Sequence, residues 1–115
     1  MTASNDNKLQ VACLCAAWCR VCDGFRAEFD ALAARFESTV VWRWVDVEDE
    51  ESELLGLEVE TFPCLLVASA GQLRFFGPVA PQGAAVERLV QAAGEAVLSQ
   101  DALAQQVAQR LFNGA

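Results

Sequence analysis

The chain has 115 residues, 54% of them hydrophobic, which suits one packed domain and argues against disorder. Its net charge is −8, and Lys8 is its one lysine, so the basic face that a nucleic-acid partner needs is missing. No apolar run approaches the ~20 residues of a membrane span. With no histidine in the chain, Ser–His and Cys–His mechanisms are excluded too.

The first ten residues are polar, and the apolar stretch after them is short and broken by Trp18-Cys19-Arg20, unlike a secretory signal. Met1 reads as a native start and the chain as cytoplasmic. Five cysteines (13, 15, 19, 22 and 64) are an odd number, against a secreted disulfide framework. In a reducing compartment they point to redox or metal chemistry.

Residues 8–15 form a short apolar run that predicts a buried strand. From Cys19 or Arg20, Val21, Phe25, Phe29, Leu32 and Phe36 recur at helical spacing and predict a helix ending near Glu37-Ser38. Residues 39–47, β-branched and aromatic, predict a second strand in which Trp42 and Trp44 pack on the sheet. The acidic run 48–53 reads as a solvated helix start, with Leu54, Leu55 and Leu57 as that short helix's apolar face.

Residues 64–68 and 73–76 predict two strands joined by a tight turn at Ser69-Ala70-Gly71. A helix is predicted over Gly83–Ala96 and another over 99–112. Ser99 is expected as the N-cap of the latter, Leu98 and Leu103 as a hydrophobic staple, Leu103, Val107 and Leu111 as its stripe, and Asn113-Gly114 as its end. The order is β-α-β-α-β-β-α plus one helix. An early βαβ unit implies a parallel pair and the late hairpin an antiparallel one, hence a mixed sheet.

Cys19 and Cys22 fall where the first strand gives way to the long helix. Unpaired N–H groups and partial positive charge at a helix N-terminus favour a thiolate over a thiol. Two intervening residues let the sulfurs approach across one turn. Cys19 is then the nucleophile toward a substrate disulfide and Cys22 the resolving thiol. Chance alone supplies about 0.17 Cys-x-x-Cys pairs in such a chain, so the placement after Trp18 at a strand–helix junction carries the weight.

Trp18-Cys19-Arg20-Val21-Cys22 resembles the active-site signature of the thioredoxin family. Thr61-Phe62-Pro63, with Pro63 lying 41 positions after Cys22, resembles that family's cis-proline loop, and Val45-Asp46-Val47-Glu48-Asp49-Glu50 its acidic strand end. The resemblance covers roughly residues 9–95. It implies an α/β thioredoxin-like three-layer fold, with a mixed four-stranded sheet and helices on both faces, lacking the family's first strand-helix unit and carrying an extra C-terminal helix. Residues 8–97 would be the core and 98–115 the addition, which is expected to cover the sheet face that the missing helix leaves bare; the rival use of its stripe is a dimer contact.

The resemblance further implies a protein-disulfide reductase with Cys19 and Cys22 catalytic. Trp18, Arg20, Val21, Phe62 and Pro63 would contact substrate, and Pro63 would be cis. The expected cofactor is none beyond a redox-active Cys19–Cys22 disulfide; the expected partners are protein disulfides and a thioredoxin-reductase-like or other thiol reductant. Cys13 and Cys64 are candidate accessory thiols, against the simpler reading of buried hydrophobes that also covers Cys15. Two positions depart from the pattern: a buried Asp and its Lys partner fall, by alignment, on Cys13 and Trp44. Deprotonation of Cys22 is then left to water, a substrate group or Cys13. Arg20-Val21 replaces Gly-Pro between the cysteines. The alternatives are a non-catalytic module that holds a partner on the Phe62-Pro63 edge and a cysteine metal site.

Overall fold

A computed structural model describes residues 8–113. In chain order they form β1 (Leu9–Cys15), α1 (Arg20–Arg35), β2 (Val40–Asp46), a 3₁₀ turn (Glu51–Leu54), β3 (Cys64–Ser69), β4 (Gln72–Pro78), α2 (Gly83–Glu95) and α3 (Ala102–Asn113). The sheet order is β2-β1-β3-β4. β1 and β2 run parallel, from Leu9 opposite Val40 to Cys15 opposite Asp46, while β1–β3 and β3–β4 are antiparallel.

β1 is central and covered on both faces, which is why residues 11–15 read as an unbroken apolar run rather than an alternating one. Val11, Cys13 and Cys15 face α1 and α2 together with Leu65 and Val67. Ala12 and Leu14 face α3, together with Val45, Cys64, Leu66, Ala68 and Leu73.

α1 buries Cys22, Phe25, Phe29 and Leu32. Val21, expected at the head of that stripe, is exposed instead, because Cys22 satisfies the same helical spacing one residue on and faces the sheet. Each of the buried phenylalanines contributes about 1.5–3 kcal/mol. Phe29 meets Trp42 and Trp44 edge-on with ring centroids at 5.6 and 5.2 Å, and Arg26 lies 4.5 Å over the Trp44 ring. The two β2 tryptophans are thus the packing surface under α1.

β3 and β4 are joined through Ala70 (φ 52°) and Gly71 (φ 82°). A two-residue turn of this hand needs positive φ at both positions, natural for glycine and mildly costly for Ala70. The acidic run passes from a turn at 47–50 into a single 3₁₀ turn (Glu51–Leu54) and does not start an α-helix. Leu54 is buried, but Leu55 is left-handed (φ 55°) and exposed, so Leu54, Leu55 and Leu57 do not share one apolar face. Nor is the run simply solvated: Glu50 pairs with Arg43, and Glu53 with Arg110 of α3 at 3.2 Å.

α3 lies across the second sheet face, burying Ala104, Val107, Ala108 and Leu111. Its N-cap is Asp101, not Ser99: the Asp101 carboxylate accepts the Ala104 N–H at 2.9 Å. Leu98 is 45% exposed and forms no staple; its N–H and that of Ser99 bind the Arg74 carbonyl, tying this segment to β4. Gln105 clips the hairpin from above, accepting from Leu73 N–H at 2.7 Å and donating to the Gly71 carbonyl. Arg43 donates to the Leu111 carbonyl at 2.7 Å. The expected end at Asn113-Gly114 reaches beyond the described residues. Among those residues no helix is long and apolar enough to cross a membrane.

Candidate active site

The site forms where the C-terminal end of β1 turns into α1. Cys15 ends the strand, and the Cys19 N–H closes the intervening turn on the Ala16 carbonyl at 3.0 Å. Cys19 is the N-cap of α1, in extended conformation, and its carbonyl accepts the Asp23 N–H at 3.2 Å. Its side chain makes no capping hydrogen bond, so the first-turn N–H groups are not taken up by that thiol. Cys19 is partly exposed, whereas Cys22, one turn along, is buried. Arg20 and Val21 between them are exposed, as is Asp23.

Trp18 stands over this turn, 66% exposed. Its indole N–H donates to Glu48 at 3.2 Å, and its ring meets Phe62 edge-on at 5.6 Å. Glu48 belongs to a short turn in which Asp46 accepts the Glu48 and Asp49 N–H groups at 2.9 and 3.1 Å. One carboxylate of the acidic run therefore orients the tryptophan, a role its charge alone did not announce. Phe62 precedes Pro63 through a cis peptide bond; Pro63 is buried, and its carbonyl accepts the Val79 N–H at 3.2 Å. Trp18, Cys19, Phe62 and Pro63, 45 positions apart at the extremes, thus converge on one end of the sheet. Beside them a groove of about 440 Å³ is lined by Val47, Glu48, Leu54, Leu57, Val59 and Phe62 among others.

The sulfur pairing differs from the expected Cys19–Cys22 disulfide. Cys22 is bonded to Cys15, with Cα atoms 6.0 Å apart, and Cys13, Cys19 and Cys64 are free. That Cα separation is ordinary for a disulfide. From the sequence alone, Cys15 reads as a small buried hydrophobe. Two facts point to it in retrospect: strand alternation puts Cys13 and Cys15 on one face, and Cys22 is the helical position that looks back at that face. The Cys13 sulfur lies 3.9 Å from that of Cys15, both buried.

The two remaining thiols are set apart. Burial pushes Cys13 up to about 12; the nearby Cys64 raises it further and Arg26 lowers it. Burial likewise raises Cys64 to about 11, offset in part by hydrogen bonds from the Gly77 and Leu65 backbone. Both keep their protons at neutral pH, so Cys13 is a poor proton acceptor for Cys22. Cys64 follows Pro63 but points to the α3 side, across the sheet from Cys15 and Cys22. As an accessory thiol to that pair it is therefore badly placed. Among the described residues no group of three or more Cys, Asp or Glu side chains is arranged to hold a metal ion.

The chain matches the family model described as thioredoxin over residues 2–94. It is 32% identical over 71 residues to thioredoxin H4 of Arabidopsis thaliana, an overlap covering 62% of this chain and 60% of that protein. The chain thus spans about three fifths of the length of the curated relative it matches. In fold it is similar to Fasciola hepatica thioredoxin (TM-score 0.68, 20% identity, 77% of this chain and 84% of that one). It is equally similar to the germline-specific thioredoxin Deadhead of Drosophila melanogaster (TM-score 0.67, 19% identity, 77% and 84%).

Proposed function

The chain belongs to the thioredoxin family, and we propose that it reduces protein disulfides by dithiol–disulfide exchange, with Cys19 attacking and Cys22 resolving. In this reading the Cys19 thiolate attacks one sulfur of a substrate disulfide and displaces the other as a thiolate. Cys22 then attacks the Cys19 sulfur, the second substrate sulfur leaves, and the chain holds the oxidised pair. A thioredoxin-reductase-like or other dithiol donor restores both thiols. The reaction takes place in the cytoplasm and needs no cofactor besides the cysteines.

The observation that carries this reading is the Cys19–Cys22 arrangement: a partly exposed cysteine at a helix N-cap, with a buried cysteine one turn beneath it. Trp18 and Phe62, the latter joined to the buried Pro63, offer an apolar, partly exposed rim on which an extended substrate segment can lie. Arg20 beside the thiol supplies positive charge.

Insulin reduction, followed by turbidity with a dithiol reductant present, tests it. The wild type should accelerate precipitation severalfold and Cys19→Ser should fall to the reductant's own rate. A wild type no faster than reductant alone, with no reductase-coupled oxidation of its thiols, overturns the proposal. A second reading, a module that binds a partner without turning it over, draws on the exposure of Trp18 (66%) and Val21 (48%). It predicts partner retention equal in wild type and Cys19→Ser.

A further inference from the structure

The exchange cycle proposed above uses two of the four sulfurs that crowd this end of the sheet and leaves Cys15 without a role. Cys15 and Cys22 are each 1% exposed and are joined, while Cys19, the one thiol of the cluster with access to solvent, is free. The disulfide thus lies one step further in than the Cys-x-x-Cys pair.

Resting on the exchange reading, we infer that Cys15 is a second resolving thiol, which moves the disulfide from Cys19–Cys22 to Cys15–Cys22 and returns Cys19 to the surface as a thiol. The Cys15 sulfur, deprotonated, attacks the Cys22 sulfur. The Cys15–Cys22 bond forms as the Cys19–Cys22 bond breaks, and Cys19 leaves with the electron pair and takes up the proton. No electron is gained or lost, so the step needs no oxidant beyond the substrate disulfide that made the first bond. Cys22 can serve both bonds because it sits at the centre: one turn of α1 from Cys19 and across the strand–helix junction from Cys15, at a Cα distance of 6.0 Å. Cys13, with its sulfur 3.9 Å from that of Cys15, is a positioning residue that offers a hydrogen-bond partner to the incoming or outgoing sulfur.

The consequence is a change of chemistry on oxidation. Reduced, the chain is a dithiol exchanger. With Cys15–Cys22 closed, Cys19 can still attack a disulfide, but its mixed disulfide has no resolver and persists. An external thiol cannot reach the buried pair, so reopening runs through Cys19 attacking Cys22, the same step reversed.

The test maps the link in time. The full reduced chain is oxidised with oxidised glutathione, and aliquots are quenched in acid, alkylated with N-ethylmaleimide in denaturant and digested with trypsin. Cleavage after Arg20 separates the segment carrying Cys22 from that carrying Cys13, Cys15 and Cys19, so every link to Cys22 joins two peptides and fragmentation assigns its partner. The wild type should show Cys22 linked first to Cys19 and then mainly to Cys15, with Cys19 alkylated. Cys15→Ala should lose the second species and stay at Cys19–Cys22. A wild-type chain that remains at Cys19–Cys22 with Cys15 alkylated overturns the inference; should Cys15→Ala fail to fold, the wild-type time course decides alone. The mapping uses no protein substrate, so an inactive wild type in the insulin assay counts against the exchange reading while this result stands on its own.

Discussion

Leu111→Ala tests whether α3 is part of the folded unit or an appendage. Leu111 is 4% exposed and packs in the cluster that includes Leu14, Val45, Leu66 and Leu73, held in place by Val107 one turn before it. Truncating a leucine in such a site removes its transfer free energy and leaves a cavity, together about 2–5 kcal/mol. For a chain of this length each kcal/mol lowers the melting temperature by roughly 3–5 °C, so a drop on the order of 10 °C is expected. The backbone tie from Arg43 to the Leu111 carbonyl survives the substitution, so the loss reports the side chain. Gln106→Ala, exposed on the same helix, should change stability by less than about 0.5 kcal/mol. Urea unfolding followed by circular dichroism at two protein concentrations measures both variants. If Leu111→Ala is as mild as Gln106→Ala, or its loss depends on protein concentration, α3 does not cover the sheet within one chain and the dimer reading of its stripe gains.

Two further outcomes follow from particular contacts. Asp101→Ala should cost about 0.5–2 kcal/mol by freeing the Ala104 N–H, while Ser99→Ala should be close to neutral; the reverse order in the same unfolding experiment would return the cap to Ser99. The buried thiols make stability fall in alkali. Exposed, they ionise near 9.0, but the folded chain holds Cys13 up to about 12 and Cys64 up to about 11. Above pH 9 the unfolded chain therefore sheds protons that the folded chain keeps, so their contribution is full below pH 9 and lost between about pH 9 and 12. The Cys13 share is on the order of 4 kcal/mol by pH 12, taking 12 minus 9.0 at ~1.4 kcal/mol per pH unit. Urea midpoints across this range should fall less steeply in Cys13→Ala, and an unchanged slope would refute the assignment.

Much of the fold is written in local pattern. Residues 11–15 of β1 and 64–68 of β3 are apolar because both faces are covered, and α1 is marked by Phe25, Phe29 and Leu32 at helical spacing. Errors arise where two residues satisfy one rule. Val21 and Cys22 both fit the α1 stripe, and only the sheet beneath decides between them. Ser99 and Asp101 are both good caps, but the bonds from Leu98 and Ser99 to Arg74 hold the chain along β4 and delay the helix to Ala102. The acidic run reads as solvent-facing because its partners, Trp18, Arg43 and Arg110, come from three separate segments. At the site, Trp18, Cys19, Cys22, Phe62 and Pro63 are legible as a motif at a junction. Cys15 is not, since as a lone strand cysteine it is indistinguishable from a small hydrophobe until α1 is laid over it.

Cys13 and Trp44, where the family resemblance implies an Asp–Lys pair, fit the physical character of that cluster. Trp44 packs against Phe25 and Phe29 under the Arg26 guanidinium, so the face beneath Cys22 is apolar. A carboxylate at position 13, 0% exposed and with only the solvent-exposed Arg26 to offset its charge, would cost several kcal/mol to ionise and would gain a proton instead. A thiol there costs nothing while neutral, and Cys13 is held neutral by the same burial. With Cys15–Cys22 closed, the sulfurs of that buried pair are bonded and uncharged, and the free thiol that solvent reaches is Cys19, beside Arg20. In the proposed transfer, Cys15 serves Cys22 as a bonding partner where the apolar face beneath offers it no base.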